Sequence, residues 1–452
     1  MTMRSQDSLV ISGGNVLTAN GLSVCDVFLA NGRIVSAGSD VGTSGTGGGL
    51  GEPTEVGTAG AGAERAVLRL FASNETGEAA GGELPAAPGD STPCSAHVLD
   101  AAGLLVVPGF VDVQCNGAVG VDITADPERL WEVAAALPRW GVTSWLPTVV
   151  TAPPAIRARA LATLRSGPPG GRDDVRLFAM PLGLHLEGPF LAPERRGAHP
   201  AKHLRAPDPS LVADEGWSRQ SGVALVTLAP ELPRALDVVR ELVAAGVVVS
   251  AGHSSASAEE ATAAIDAGIT AVTHLFNAMG PLHHRDPGLA GVALSDERVR
   301  VGAIADGIHL HPATVALAAR ALGDRLCLVT DAVAALGMPA GRVPLGVLEA
   351  FATEDGVRLA DGTLAGSDLS LDRAVRNLVA FAGVSLPEAV AAATMAPAAL
   401  LGLGDRGVIR AGAVADLTLL DAGGVVVATV VGGRLAFDRR APSANDSKLR
   451  QR

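Results

Sequence analysis

The sequence lacks what a cross-linked, membrane-spanning or nucleic-acid-binding protein needs. It has four cysteines in 452 residues. Cys25, Cys94, Cys115 and Cys327 stand far apart and none forms a CxxC pair, which argues against a disulfide framework and against a cysteine zinc site. Basic charge is scarce. The formal net charge is -12, whereas binding to a phosphate backbone needs a broad basic face. No nucleic-acid partner is expected, although a few local Arg and His side chains suffice to hold one phosphate group. Lysine is almost missing, with only Lys202 and Lys448. That bias, with heavy Ala and Gly use, reads as a GC-rich genome rather than as a function. No uninterrupted apolar run reaches the ~18 residues of a membrane span. The opening MTMRSQDSLVISGG lacks the apolar stretch of a signal peptide. A cytoplasmic protein without a membrane partner is the expectation.

What is present points to a large enzyme core. Hydrophobic residues make up 48% of the chain, enough for a barrel of ~250 residues with a smaller domain beside it. Residues 8–37 alternate apolar and polar, with turn signals at Asn20-Gly21 and Asn31-Gly32, and predict short antiparallel strands. Residues 38–95 are rich in Gly, Ala, Ser, Thr, Glu and Pro and read as a low-complexity insertion. A short strand at Val67-Leu68-Arg69-Leu70 is the exception within it.

From residue 104 short apolar runs alternate with amphipathic stretches. Strands are predicted over 104–114, 144–150, 176–187, 223–229, 247–253, 271–275, 300–305 and 326–331. Helices are predicted over 127–139, 154–165, 232–245, 257–267 and 311–322, with Ser257 and Glu260 as a capping box. This alternation predicts an α/β fold, a closed (β/α)8 TIM-type barrel. The doubly wound open sheet is the competitor, but no GxGxxG follows a first strand. A helix over 385–401 begins with a second capping pair, Ser385 and Glu388. Short β runs then return from Gly404 to Phe437. Both chain ends are therefore expected to build one small β-sandwich domain. The expected division is 1–107 and 404–437 for the β-domain, 108–403 for the barrel and 438–452 for a tail.

Active sites of such barrels lie at the C-terminal strand ends, and polar residues buried there need partners. The strand ends carry Gln114 and Asn116, His185 and Glu187, His253, His274 and Asp331, with His309 nearby. Nine of the ten histidines fall between residues 185 and 311. Glu187, His253 and His274 form a one-carboxylate, two-imidazole set that suits Zn2+ with a water in the fourth position. Fe2+ or another divalent ion accepts the same ligands. Asp331, in Val-Thr-Asp-Ala, is placed to act as general base and then general acid. The same position also suits a helix N-cap. Many metal hydrolases on this barrel open with His-x-His on the first strand. Gln114 and Asn116 stand there instead, and no lysine is available as a bridging carboxylate, so one metal ion rather than two is expected. Arg285, His309 and Asn277 could grip a phosphate, or belong to an ordinary surface loop.

Seven strings then appear in order: Pro-Gly-Phe-Val-Asp at 108–112, His-Leu-Glu-Gly-Pro-Phe at 185–190, Ala-Gly-His-Ser at 251–254, Thr-His-Leu-Phe-Asn-Ala-Met at 273–279, Ala-Asp-Gly-Ile-His at 305–309, Val-Thr-Asp-Ala at 329–332 and Gly-Ser-Asp-Leu-Ser at 366–370. Together they resemble the N-acetylglucosamine-6-phosphate deacetylases of the amidohydrolase superfamily, from about residue 104 to 437. The resemblance implies hydrolysis of N-acetyl-D-glucosamine 6-phosphate to D-glucosamine 6-phosphate and acetate. It implies metal ligation by Glu187, His253 and His274, catalysis by Asp331, and polarisation of the acetamide carbonyl by His199. Substrate contacts are implied at Asn116, Ala198, Asn277, Ala278, Arg285 and His309, and along the backbone of Leu364, Ala365 and Gly366. A homodimer is implied, because in the family a neighbouring subunit helps to bind the sugar phosphate. The insertion at 38–95 departs from the family pattern. Two alternatives stand beside this reading: deacetylation of N-acetylgalactosamine 6-phosphate, and a sugar-phosphate-binding barrel without catalysis.

Overall fold

The computed structural model describes residues 8–19, 21–38, 97–170 and 177–441. All but Gly38 of the insertion expected at 38–95, its short strand at 67–70, Asn20 of the first turn signal and most of the tail lie outside the described residues. No helix among the described residues is long and apolar enough to cross a membrane.

Strands from both chain ends form one eight-stranded sheet. Ser8–Thr18 pairs antiparallel with Gly21–Ala30, and Gly21–Ala30 with Arg33–Ala37. Leu105–Pro108 lies parallel to the first strand and antiparallel to Leu417–Leu420, joining the N-terminal strands to the C-terminal ones. Val426–Val431 and Arg434–Asp438 complete that side, and His97–Asp100 adds to Ser8–Thr18. The two sides of the sheet close on each other. Gly433 N donates to Ala415 O and Ala415 N donates to Gly32 O. A Cβ on Gly32 would lie 3.3 Å from Gly432 O, and the positive φ of 75° there is one that glycine adopts without strain. Inside this curled sheet sit Ile11, Val16, Val27, Ile34, Leu417, Leu419 and Val430. The expected sandwich is thus one continuous sheet folded around its own core.

The barrel follows. Its strands are β1 (Phe110–Cys115), β2 (Val142–Val150), β3 (Leu184–Glu187), β4 (Val223–Leu228), β5 (Val248–Ala251), β6 (Ala271–Val272), β7 (Arg300–Ala303) and β8 (Leu326–Leu328). Each pairs in parallel with the next. Closure between β8 and β1 runs through the residues just past β8. Asp331 N donates to Gln114 O at 2.9 Å and Asn116 N to Ala332 O at 2.7 Å. Helices Leu130–Ala136, Pro154–Ser166, Pro209–Asp214, Ala235–Ala244, Ala258–Ala267, Gly288–Ser295, Pro312–Leu322 and Leu371–Ala382 surround it. The strands are apolar on both faces because one side packs on these helices and the other on the barrel interior.

Several expected elements change at their ends. The run 104–114 breaks at Pro108-Gly109, so its first half belongs to the β-domain and its second half to the barrel. A Cβ on Gly109 would lie 2.2 Å from Thr143 Oγ1, so the chain crosses between the two sheets where only glycine fits. The helix expected over 385–401 is two, Leu386–Ala393 and Met395–Leu400, parted at Thr394 with φ -132°. Both capping boxes are present. Between β8 and the last surrounding helix lies a three-stranded antiparallel sheet, Gly341–Leu345, Leu348–Thr353 and Gly356–Arg358, which the sequence reading did not anticipate. It packs Val343, Leu345, Ala350 and Val357 against Val333 and Ala365 near the barrel mouth.

Candidate active site

Three strands stop where the chain turns into the left-handed region. His253 after β5, His274 after β6 and Asp331 after β8 have φ of 51°, 28° and 47°. Phe276 and Ala278 share this backbone region at 70° and 51°. Non-glycine residues are held there only where their surroundings over-determine them, and such places cluster at functional sites. The turns aim the three side chains into the barrel mouth, where all are buried or nearly so.

The mouth brings three donor atoms together. Glu187 Oε1 lies 3.1 Å from His253 Nε2 and 3.1 Å from His274 Nε2, and the two Nε2 atoms are 3.1 Å apart. Two ligands each about 2.1 Å from a shared ion at a tetrahedral angle would stand ~3.4 Å apart. The donor set and its spacing suit an ion. His253 Nδ1 lies 2.8 Å from Arg195 O, a group that only accepts, so Nδ1 carries the proton. In the neutral ring His253 Nε2 then turns its lone pair toward a carboxylate oxygen, and either a second ring proton or a metal cation between them makes the contact favourable. His274 Nδ1 has no hydrogen-bond partner among the described residues, so no neighbour fixes its tautomer.

Glu187, His199 and His253 also offer atoms within 4.8 Å of one another. Hydrogen bonding separates His199 from His253. Thr151 N–H donates to His199 Nδ1 at 3.2 Å, so neutral His199 carries its proton on Nε2. Nε2 stands 3.8 Å from Glu187 Oε2. His199 therefore presents an N–H donor to the mouth, whereas His253 presents a lone pair. Burial and the neighbouring His253 push His199 down to about 3, which keeps it neutral. Burial alone would raise Glu187, but hydrogen bonds from His253 and His274 outweigh it and hold the carboxyl well below the usual range. Burial would lower His274, and the Glu187 carboxylate reverses this and raises it.

Gln114 joins the carboxylates. Its Nε2 donates to Glu187 Oε1 at 3.1 Å and to Asp331 Oδ1 at 3.2 Å. Asn116 Nδ2 donates to the same Asp331 oxygen at 2.7 Å. An amide that uses both its protons here fills the place between the carboxylates where a second cation would need ligands. Burial, with the charge of Glu187, raises Asp331 to about 6.

A cavity of about 570 Å³ opens over these groups. Of the residues expected at the site, Asn116, Glu187, Ala198, His199, His253, His274, Asn277, Ala278, His309, Asp331, Leu364, Ala365 and Gly366 all line it. His309 Nδ1 is 2.6 Å from Asp306 Oδ2, which leaves Nε2 for the cavity. Burial pushes Asp306 up, yet His309 and two backbone N–H donors hold it below its ordinary value. Arg285 departs from expectation. It is exposed, pairs with the neighbouring His284 at 2.8 Å and does not line this cavity. The loop 281–286 turns outward through the His283–Asp286 bridge. Sequence reasoning missed Thr151, which sets the His199 tautomer, and Leu345, Gly346 and Val347, which line one side of the mouth. Asp355-Gly356 and Asp361-Gly362 were turn signals for this small sheet.

Comparison with known proteins agrees with the geometry. The family model described as "Amidohydrolase family" matches residues 105–436. N-acetylglucosamine-6-phosphate deacetylase of Danio rerio is 42% identical over 72% of this chain and 82% of its own length. N-acetylgalactosamine-6-phosphate deacetylase of Escherichia coli O157:H7 is 39% identical over 76% of this chain and 91% of its own length. An aspartate-to-alanine variant of the Mycobacterium smegmatis N-acetyl-D-glucosamine-6-phosphate deacetylase, solved in complex with N-acetyl-D-glucosamine-6-phosphate, superposes with a TM-score of 0.74. It is 32% identical and is covered over 100% of its length by 96% of this chain. The chain belongs to the metal-dependent amidohydrolase family and, within it, to the N-acetylglucosamine-6-phosphate deacetylases.

Proposed function

We propose that this chain is the enzyme that hydrolyses N-acetyl-D-glucosamine 6-phosphate to D-glucosamine 6-phosphate and acetate. The observation that carries the reading is the triangle of Glu187 Oε1, His253 Nε2 and His274 Nε2, linked through Gln114 to Asp331. A single divalent cation held by that triangle, Zn2+ in this reading and Fe2+ or another divalent ion as alternatives, supplies Lewis-acid polarisation and lowers the pKa of a water. Asp331 takes the proton of the attacking water and returns it to the amine as the C–N bond breaks. Its raised value suits both roles, and Gln114 and Asn116 hold its carboxylate in place. His199 donates from Nε2 to the carbonyl oxygen as charge develops there.

The sugar phosphate is assigned to Asn116, Ala198, Asn277, Ala278, His309 and the Leu364–Gly366 segment, all on the cavity wall. Arg285 is assigned to the neighbouring subunit's cavity in a homodimer. Its outward loop supports this, since the guanidinium is exposed and pairs only with His284 of the same loop among the described residues. A charged sugar phosphate as substrate favours a cytoplasmic setting. Deacetylation of N-acetylgalactosamine 6-phosphate is the second reading, supported by the 39% identity to the Escherichia coli relative so named.

Acetate release measured on both epimers tests the assignment. Turnover of the glucosamine compound at least tenfold faster in kcat/KM is the expected result. Preference for the galactosamine compound would transfer the assignment to the second reading. Turnover of neither would remove both.

A further inference from the structure

The strand order divides the cavity wall into two unlike sides. Asn277 and Ala278 follow β6 and His309 follows β7, so these three share one side of the mouth, while Asn116, after β1, is turned to Asp331 by its amide hydrogen bond. The opposite side is built from the chain after β1 and β2. There Ala125, Val150, Ala152 and Ile156 line the cavity, with Leu345 and Val347 of the small sheet beside them. The two parts of this wall are joined. A Cβ on Gly346 would lie 3.5 Å from Thr124 Cγ2, and Thr124 Oγ1 accepts from Val150 N at 3.1 Å. Ile156 sits in the first turn of helix Pro154–Ser166 and is half-buried, so its side chain narrows the cavity without sealing it. The reaction as read above gives this apolar side no task.

The amide being cleaved sets which part of the substrate faces each side. Its nitrogen carries the sugar and its carbonyl carbon carries the acyl group. With the phosphate held near His309 and the carbonyl at the triangle of Glu187, His253 and His274, the acyl substituent points away from β6 and β7. It points toward the wall after β1 and β2.

We propose that this wall is an acyl subsite which admits N-acyl groups longer than acetyl, so that the enzyme also deacylates N-propionyl- and N-butyryl-D-glucosamine 6-phosphate. The proposal rests on the deacetylase reading. The chemistry is unchanged: the water oxygen bonds to the acyl carbon, the C–N electron pair leaves with nitrogen, and nitrogen gains a proton. The products are D-glucosamine 6-phosphate and the matching carboxylate. Each added methylene leaves water for an apolar wall, so KM falls rather than rises along the series.

The test is amine release from the N-acetyl, N-propionyl and N-butyryl compounds by the unmodified protein. The expected result is kcat/KM for the longer acyl groups within about tenfold of acetyl. A closed acetyl pocket would reject the extra carbons by more than that, and such a loss overturns the proposal. Ile156→Phe locates the effect. Filling the wall lowers the butyryl-to-acetyl ratio of kcat/KM at least tenfold, and an unchanged ratio also overturns the assignment of this wall. No release from the acetyl compound would count against the deacetylase reading itself and is thereby distinguished from failure of the subsite.

Discussion

His185 and His253 are both buried in the same barrel, yet only one has its hydrogen bonds complete. His185 donates from Nδ1 to Val113 O at 3.1 Å and accepts at Nε2 from Thr227 Oγ1 at 2.8 Å. Thr227, Thr273 and Ser250 continue this chain at 2.7 and 2.6 Å. Burial drives His185 down to about 4, so it stays neutral. Asp112 is similar. It lies two residues before Gln114, as His185 does before Glu187, and so one layer deeper. Its oxygens accept from Gln114 N, Thr330 N and Thr330 Oγ1. One layer up, the same residue types are left in conflict, with a His253 lone pair against Glu187 and a carboxylate pair spanned by Gln114. A buried polar residue marks structure when its partners are complete. It marks chemistry when the partners present have the wrong sign for one another.

The largest expected contrast lies between the two aspartates. Asp331→Asn is expected to lower kcat by about 10³-fold, within the range for losing a general acid and base, while metal content stays unchanged. Asp112→Asn should leave kcat within a few fold. Its amide oxygen takes the two backbone N–H groups, and its NH2 donates to Thr330 Oγ1, whose own hydrogen then goes to Gln114 O. Steady-state kinetics of both variants separates the layers, and equal losses would erase the distinction.

Less of the upper layer was legible in the sequence than the strings alone suggest. Glu187, His253 and His274 were readable because each ends an apolar run, and that position is visible one-dimensionally. Their mutual distances were not, since they depend on barrel closure through Asp331 and Ala332. The division between His199 and His253 was illegible because it is decided by Thr151 N and Arg195 O, backbone atoms distant in sequence. The placement of Arg285 away from its own chain's cavity was not legible, because loop 281–286 is exposed and a one-dimensional pattern does not show which way a loop turns. The small sheet at 341–358 was missed because its alternation is short and it follows the eighth predicted strand, inside the range read as barrel. Strand and helix types were mostly legible. Ends were not, as at Val272, where the positive φ of His274 ends the strand early.

A smaller effect is expected from His199→Phe, which removes one donor to the developing oxyanion. A loss of about 10²-fold in kcat with KM little changed is the expected outcome. A rise in KM alone would make His199 a binding group instead.

The rate should also depend on acidity. Asp331 acts as a base in its ionised form, so activity is lost as pH falls through its pKa. With burial raising that value to about 6 and a bound cation drawing it down, the acid limb of kcat/KM belongs at or below pH ~6. A limb well above that would assign it to another group.

The smallest effect concerns stability. Burial raises Asp112 to about 7 in the folded chain, against 3.8 as its ordinary value. The folded state therefore holds this proton more tightly than the unfolded one. Its stabilising contribution is full below about pH 4 and is lost as pH rises through about 7. Thermal melts of Asp112→Asn should show a shallower decline over that window than the parent. An equal slope would mean that Asp112 is ionised in the fold.

Divalent metal content, measured together with acetate release, tests the site most directly when His274→Ala and His199→Phe are compared with the parent. The expected result is a single ion per chain in the parent and in His199→Phe, and neither ion nor turnover in His274→Ala. An ion retained by His274→Ala but lost from His199→Phe, or full turnover by metal-free protein, would contradict the ligand triangle.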